Sequence, residues 1–194
     1  TFSAPSTVAT GYELRIFAAD VGKLRSVTTT STFEVVPTRN FSHWRFQSYT
    51  STGSVSSAKM YVGDIQLFTL ANRGGTEYPT TSLTSNTSES GITLSSGYQY
   101  SSTYAPWKVG DVHTYTGWWT ISNGTAANAW VQIEFATATT LGSITVTTNR
   151  SFTDATNIKV FGSNTGNFSG EEIEVADFSG VGTGSNLQSF SQNI

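Results

Sequence analysis

The chain has 194 residues, of which 12% are charged and 13% aromatic, with no cysteine and a formal net charge of −3. Ser and Thr supply roughly three residues in ten, and 18 Gly beside 4 Pro suit a turn-rich β protein rather than a linker. The negative balance argues against electrostatic capture of nucleic acid, and the missing thiols exclude disulfides, thiolate nucleophiles and Cys-based zinc sites. No apolar run approaches the ~18 residues needed to span a bilayer. The first residue is Thr1 rather than Met, which reads as a segment of a longer protein.

Two-residue alternation dominates the chain, and helical periodicity is nearly absent. Tyr12, Leu14, Ile16 and Ala18 share one face, Asp20-Val21-Gly22-Lys23 reads as a turn, and Phe33 and Val35 belong to a returning strand. Residues 11–36 are therefore expected to form a β-hairpin within a first segment, 1–38. An isolated hairpin is marginal in water, so it must pack on something. Pro37-Thr38-Arg39-Asn40 is the expected boundary. Beyond it, Trp44, Phe46 and Ser48 alternate with Arg45, Gln47 and Tyr49, and Ile65 and Leu67 alternate with Gln66 and Phe68. Arg73-Gly74-Gly75 reads as the end of that second strand. Residues 76–104 carry few large aliphatics and are expected to be long loops with short strands. Val131, Ile133 and Phe135 mark a half-buried strand, followed by strands at Leu141–Thr148, Ile158–Phe161 and Ile173–Val175. The expected fold class is all-β, a β-sandwich of jelly-roll type, with an N-terminal β-hairpin segment.

Several motifs occur in a recognisable order. YAPWKVGDVHTYTGWWT, from Tyr104 to Thr120, places Asp111, Thr116 and Trp118 at a spacing shared with one family, although Val112 stands where that family has Gly. AWVQIEF (Ala129 to Phe135) and IKVFGSNTG (Ile158 to Gly166) follow, and HWRF (His43 to Phe46) and VGDIQLF (Val62 to Phe68) precede. Together they resemble discoidin-type domains, the coagulation-factor C-type or galactose-binding-like jelly rolls, as found in bacteriophage tail and fibre proteins. Residues 39–194 would form that domain. Residues 11–36 resemble the last two strands of a fibronectin-III-like or Ig-like sandwich. The family closes its sandwich with an aromatic-Arg strand, whereas here Phe190 is the only late aromatic, so a missing last strand is expected.

Catalytic signals are sparse: two His, no nucleophile elbow and no phosphate loop. Glu171, Glu172 and Glu174 read as a solvated hairpin end rather than a hydrolytic pair. His43 faces opposite to Trp44 and reads as a surface residue. Five Asn-x-Ser/Thr sequons occur where chance predicts about three in a chain this rich in Asn, Ser and Thr, so they decide little. The aromatic loops carry the main functional signal, because Tyr and Trp join an apolar body, on which sugar C–H faces stack, to a polar handle. Tyr98, Tyr100, Tyr104, Trp107 and Tyr115 lie in such sequence, and Asn149 and Arg150 follow a strand and add hydrogen-bonding groups. Packing is the competing role for these rings: Trp118 and Trp130 match structural tryptophans of the resembled family, while Trp107 and Trp119 stay open between packing and ligand contact. The resemblance implies that the loop holding His113 lies at the ligand-binding end of the sandwich. It also implies a Ca²⁺ site at the Lys108 carbonyl, Asp111 and Thr116. Calcium wants six to eight oxygens, and only one carboxylate is placed by the motif.

The functional expectation is a noncatalytic carbohydrate-binding or adhesion module of a virion or cell-surface protein, its partners a cell-surface glycan and other copies in a homo-oligomer. The alternative is a structural spacer or decoration subunit of a viral or filamentous assembly, using its aromatic loops for subunit contacts. Docking to anionic lipid is disfavoured, since only Lys108 and Arg150 would flank the rings.

Overall fold

The computed structural model describes residues 39–49, 60–111, 117–120, 129–149, 155–181 and 187–194. The chain divides into two units, Thr1–Thr38 and Arg39–Ile194, and every described residue belongs to the second. The hairpin expected over residues 11–36 lies outside the described residues.

Among the described residues, ten strands make two antiparallel sheets. In chain order they are β1 (Asn40–Tyr49), β2 (Met60–Leu70), β3 (Gly74–Tyr78), β4 (Ile92–Ser96), β5 (Trp118–Thr120), β6 (Trp130–Thr140), β7 (Ser143–Asn149), β8 (Asn157–Ser163), β9 (Ile173–Ser179) and β10 (Leu187–Asn193). One sheet runs β4-β6-β1-β8-β9. The other runs β10-β7-β2-β3, with β5 also paired to β2. The described unit is therefore an all-β sandwich, as the alternation predicts. Two short 3-10 helices, Ser102–Tyr104 and Pro106–Gly110, interrupt the long connection between β4 and β5.

The core forms where the apolar faces of the two sheets meet. From the first sheet Trp44, Phe46, Val131, Ile133, Ile158 and Val160 point inward, and from the second Val62, Ile65, Leu67, Ile144 and Val146 answer them. A buried indole must still satisfy its N–H. Trp44 Nε1 donates to the Phe41 carbonyl at 3.0 Å, and Trp118 Nε1 donates to the Tyr98 carbonyl at 2.8 Å. Both tryptophans are fully buried.

Irregular pairing resets the alternation at defined points. In β2 the register with β7 shifts between Val62 and Asp64. Met60 and Val62 face the core before Gly63, and Ile65 and Leu67 face it afterwards. One extra residue, Gly63, thus changes which parity is internal. The bulge lies under Gly117: a Cβ there would clash with the Val62 carbonyl oxygen and lie 2.7 Å from the Gly63 Cα. A second bulge, at Val175 in β9, lets Val175 and Ala176 both turn inward.

Two readings of the sequence change. Gly74 and Gly75 open β3 instead of ending β2, because the turn is made earlier by Asn72 and Arg73, with φ of 56° and 60°. Asn193 Oδ1 accepts from the Asn72 N–H and Ser143 Oγ from the Arg73 N–H, which holds these non-glycine residues in the left-handed region. Residues Leu187–Asn193, from which no strand is read in the sequence, form β10 and pair with β7 along their whole length. Phe190 faces the core there, while Ser189 and Ser191 bond the hydroxyls of Thr147 and Thr145 on the outer side.

Gly117→Ala is expected to lower stability by about 1–3 kcal/mol, because the added methyl meets backbone rather than movable side chains. Urea unfolding checks it, and a parent-like midpoint would show that the strands relax apart.

Candidate functional site

The connection from β4 to β5 carries the aromatic residues singled out in the sequence. Tyr100 is exposed and Tyr104 half-buried, their ring centroids 5.8 Å apart with planes tilted by 49°. The backbone there is fixed locally: Tyr104 N donates to Ser101 O, Lys108 N to Ala105 O, and Trp107 N to Asn86 Oδ1. Gly110 packs where a Cβ would lie 2.7 Å from Pro79 Cγ and 2.8 Å from Leu83 Cδ1, which seats the second 3-10 helix against the sandwich. Ser82 Oγ donates to the Asp111 carbonyl and Leu83 N to the Gly110 carbonyl.

This seating brings sequence-distant groups together. The field at the Tyr61 hydroxyl includes Asp111 and Tyr104, and burial foremost, then these two neighbours, push its phenol up to about 12. Asn149, the last residue of β7, is one position beyond the Val62–Thr148 pair and so lies level with Tyr61. Tyr104, Asp111 and Asn149 therefore gather around the end of β2 that begins at Met60. His113, Tyr115, Thr116 and Arg150 lie outside the described residues.

Two of the expected site groups have close neighbours. Trp107 is half-buried: it packs against the core, and the Lys108 ammonium sits 3.9 Å from its ring centroid. The same ammonium lies 3.5 Å from Asp111 Oδ2. The single carboxylate of the implied calcium site is thus buried and paired with a fixed cation, and this donor set does not fit a calcium cage. Among the described residues no group of three or more His, Cys, Asp or Glu converges as metal ligands.

Asp64 is the group the sequence did not single out here. It follows the Gly63 bulge, is buried at 8% exposure, and is pushed up to about 6 by burial, then by Glu77 and Asp111. Only the bulge gives it this position, so no signal in the alternation marks it.

Sequence reading also missed the outward face of the β4-β6-β1-β8-β9 sheet. Trp130 is half-buried on that face rather than in the core. The Arg45 guanidinium stacks between Trp130 and Phe168, at 4.2 and 3.7 Å from their centroids, and its Nη2 donates to Gln132 Oε1 at 3.0 Å. Burial lowers the Arg45 pKa to about 10 against the opposing pull of Glu172 and Glu171. The alternation of Arg45, Gln47 and Tyr49 was the available signal. It marks an outward face but not what crosses from neighbouring strands.

The loop between β8 and β9 explains the GSNTG motif. Ser163 Oγ accepts from the N–H groups of Thr165 and Gly166, while Asn164 Oδ1 accepts from Ser42 N and its Nδ2 donates to Asn40 O. Gly166, with φ of 73°, lies under the His43 ring where a Cβ would approach to 2.7 Å. Glu171 is exposed in the β8–β9 hairpin connection, and it also gathers the loop. Its carboxylate accepts from the Ser163 and Thr165 hydroxyls and from the Phe168 and Ser169 N–H groups. Those bonds, Ser163 first, hold its pKa well below the usual carboxylate range.

A shallow recess of about 240 Å³ lies at the other end of β2, lined by Asn72, Arg73, Ser143, Ser191, Gln192 and Asn193. Its Arg73 guanidinium donates to Gln66 Oε1.

Two pH effects of opposite sign follow. The raised Asp64 keeps its proton in the folded protein at pH values where the unfolded chain has lost it. Its contribution is fully present below pH 4 and disappears as pH rises through about 6. Asp64→Asn is therefore expected to add about 2 kcal/mol at pH 7.5 and nothing at pH 3.5, read from urea unfolding at both. Glu171 behaves oppositely: its bonds stabilise the loop above the unfolded carboxylate pKa and are lost as pH falls through its depressed folded value. Side-chain carboxyl NMR is expected to show Glu171 still ionised at pH 3.5, and Glu171→Gln to broaden the Thr165–Ser169 amides at neutral pH.

No known family model matches this chain, and comparison with curated proteins and with solved structures produces no match either.

Proposed function

We propose that residues 39–194 form a noncatalytic carbohydrate-binding module of jelly-roll, galactose-binding-like type, serving adhesion in a virion protein such as a bacteriophage tail or fibre, or in a cell-surface protein. The order of motifs from His43 to Gly166 supports the family, and the two antiparallel sheets are compatible with it. The observation that carries the functional reading is the Tyr100–Tyr104 pair. Tyr104 ends a short 3-10 turn and Tyr100 precedes it, their phenol rings 5.8 Å apart among Ser and Thr, beside the Tyr61–Asp111 end of β2. Exposed rings offer faces for sugar C–H groups, and phenol hydroxyls and the Asn149 amide offer donors and acceptors for sugar hydroxyls.

A noncatalytic role is supported by the structural engagement of Asp111, Glu171 and Glu174, Asp64 being a buried carboxylate outside that set. Asp111 is held by Lys108, Glu171 by its loop, and Glu174 by Lys159. A single open site of this kind binds weakly, so adhesion would come from several copies in a homo-oligomer presented to one glycan-bearing cell surface.

The test is a glycan array probed with the chain displayed multivalently, followed by titration of the best ligand. Tyr104→Ala is expected to weaken binding at least tenfold while shifting the melting temperature by less than about 2 °C, as a surface change should. Failure of every saccharide to bind, combined with self-association that Tyr104→Ala abolishes, would move the reading to a structural or decoration subunit.

A further inference from the structure

We propose that β10 pairs with β10 of a second copy of this chain, antiparallel and centred on Phe190, joining two β10-β7-β2-β3 sheets into one. The pairing gives the homo-oligomer invoked above its contact surface. It rests on the strand itself and not on the carbohydrate reading.

A strand at the end of a sheet presents a row of backbone donors and acceptors, and proteins guard it with charge, proline, shortness or a covering segment. At the ends of these two sheets, β4, β9 and β3 are guarded. The Ile92 and Leu94 N–H groups of β4 donate to the Glu89 and Asn86 carbonyls, so the preceding segment covers that edge. Strand β9 carries Glu174 and Asp177, and β3 has five residues with Glu77 among them. Strand β10 has none of these devices. Its seven residues, Leu187–Asn193, include no charge and no proline, and most are exposed. Among the described residues no strand lies beyond it.

The ladder with β7 fixes which groups face that edge. Ile194 N donates to the Gly142 carbonyl, one position beyond the Asn193–Ser143 pair. Hydrogen-bonded pairs recur at every second residue of an antiparallel ladder, so Gln192, Phe190 and Gln188 bond to β7. The N–H and C=O groups of Leu187, Ser189, Ser191 and Asn193 therefore point away from it, along about 20 Å of edge. An extended strand is the ligand that such a row matches. The side chains of Ser189 and Ser191 are turned to the outer face, where they bond Thr147 and Thr145, and so do not block its approach.

The sequence of the strand identifies whose strand it is. Gln188-Ser189-Phe190-Ser191-Gln192 reads the same in both directions. Antiparallel pairing centred on Phe190 thus sets like on like: Ser189 opposite Ser191 of the second copy, Gln188 opposite its Gln192, and Phe190 opposite its Phe190. In this register the outward residues all fall in hydrogen-bonded pairs, Leu187 with Asn193 included. Phe190 falls in a non-hydrogen-bonded pair, where side chains come closest and two rings reinforce the contact. A shift by two residues either way sets Phe190 against a glutamine instead. Phe190 is only partly buried within its own sandwich, so its ring has surface left to cover. The uncharged strand does not repel its copy, and a two-fold contact of this kind is self-complementary and closes after one partner. One strand per copy is smaller than the roughly 1,200 Å² of a standard interface, so a dissociation constant on the order of 100 μM is expected.

The test is sedimentation equilibrium of the 194-residue chain from micromolar to millimolar concentration, without sugar. A monomer–dimer equilibrium is expected. The double variant Ser189→Lys, Ser191→Lys sets ammonium groups opposite one another and is expected to weaken it tenfold or more, as is Ser189→Asp, Ser191→Asp. An equimolar mixture of the two is expected to pair at least as tightly as the parent, which misfolded variants could not do. Tyr104→Ala is expected to leave the equilibrium within twofold. The chain has no cysteine, so the register is read by oxidation: Gln188→Cys mixed with Gln192→Cys is expected to form a disulfide at least tenfold faster than either alone. A monomer at millimolar concentration, a dimer that the lysine variant keeps, or a charge-reversed mixture that fails to pair would overturn the proposal. So would association that runs past the dimer, equal oxidation rates, or loss of the dimer in Tyr104→Ala, which would move the contact to the tyrosine turn. Glycan binding by a chain that stays monomeric would overturn the pairing and leave the carbohydrate reading standing.

Discussion

The pleat of a β-strand assigns each side chain to one of two opposite faces, and the described unit depends on where that assignment is reset. Had β2 kept strict alternation from Met60 to Leu70, either Met60 and Val62 or Ile65 and Leu67 would face water. Gly63 absorbs the extra residue, and both pairs stay buried. The cost is a local break in the ladder that must be sealed from the edge, and Gly117 seals it by backbone contact. The same device at Val175 keeps β9 against β8 while two successive residues turn inward. The register of the outward rows on the other sheet depends on similar bookkeeping along β1, where Phe41 and Trp44 both face the core although three positions apart.

That geometry also positions the buried charge. Asp64 follows the bulge on β2, and β3 pairs with β2 only from Leu67 onward while β5 pairs only with residues up to Val62. The stretch of β2 between these partners is where the Pro106–Gly110 helix packs, bringing Lys108 and Asp111 with it. Burial there, then Glu77 and Asp111, raises the pKa of Asp64, while Asp111 keeps Lys108 as its cationic partner.

The two sheets differ in how their outward side chains are engaged. Outside the β10-β7-β2-β3 sheet, Thr145 and Thr147 exchange hydroxyl bonds with Ser191 and Ser189, and Gln66 bridges Arg73 and Glu77. These groups satisfy one another. Outside the other sheet, aromatic rings alternate with amides and paired charges. A large indole such as Trp130 left half-exposed on a sheet face forgoes burial that the core could have provided, and takes the Arg45 guanidinium as its partner instead.

Much of the architecture was legible from residue order alone. Alternation in Trp44–Ser48, Val131–Phe135 and Ile158–Phe161 identifies strands and their inward faces, because period-two burial leaves its mark on every residue. The scarcity of charge and the absence of thiol likewise narrowed the chemistry. The Tyr100–Tyr104 pair was visible as aromatic residues in Ser-rich sequence. β10 was not, since one buried Phe190 in seven polar residues gives no period to read. Gly74-Gly75 looked like a turn because glycine is permissive, although Asn72 and Arg73 make the turn through bonds supplied by Asn193 and Ser143. Trp130, Arg45 and Phe168 come from three separate segments, and only strand pairing and the Glu171-gathered loop bring them into one stack. Sequence by itself therefore determined the fold class and the inward faces, which are properties of single strands. Tertiary structure decided the register shifts, the buried Asp64 and the outward aromatic rows, because those arise from pairing between strands and have no local signature.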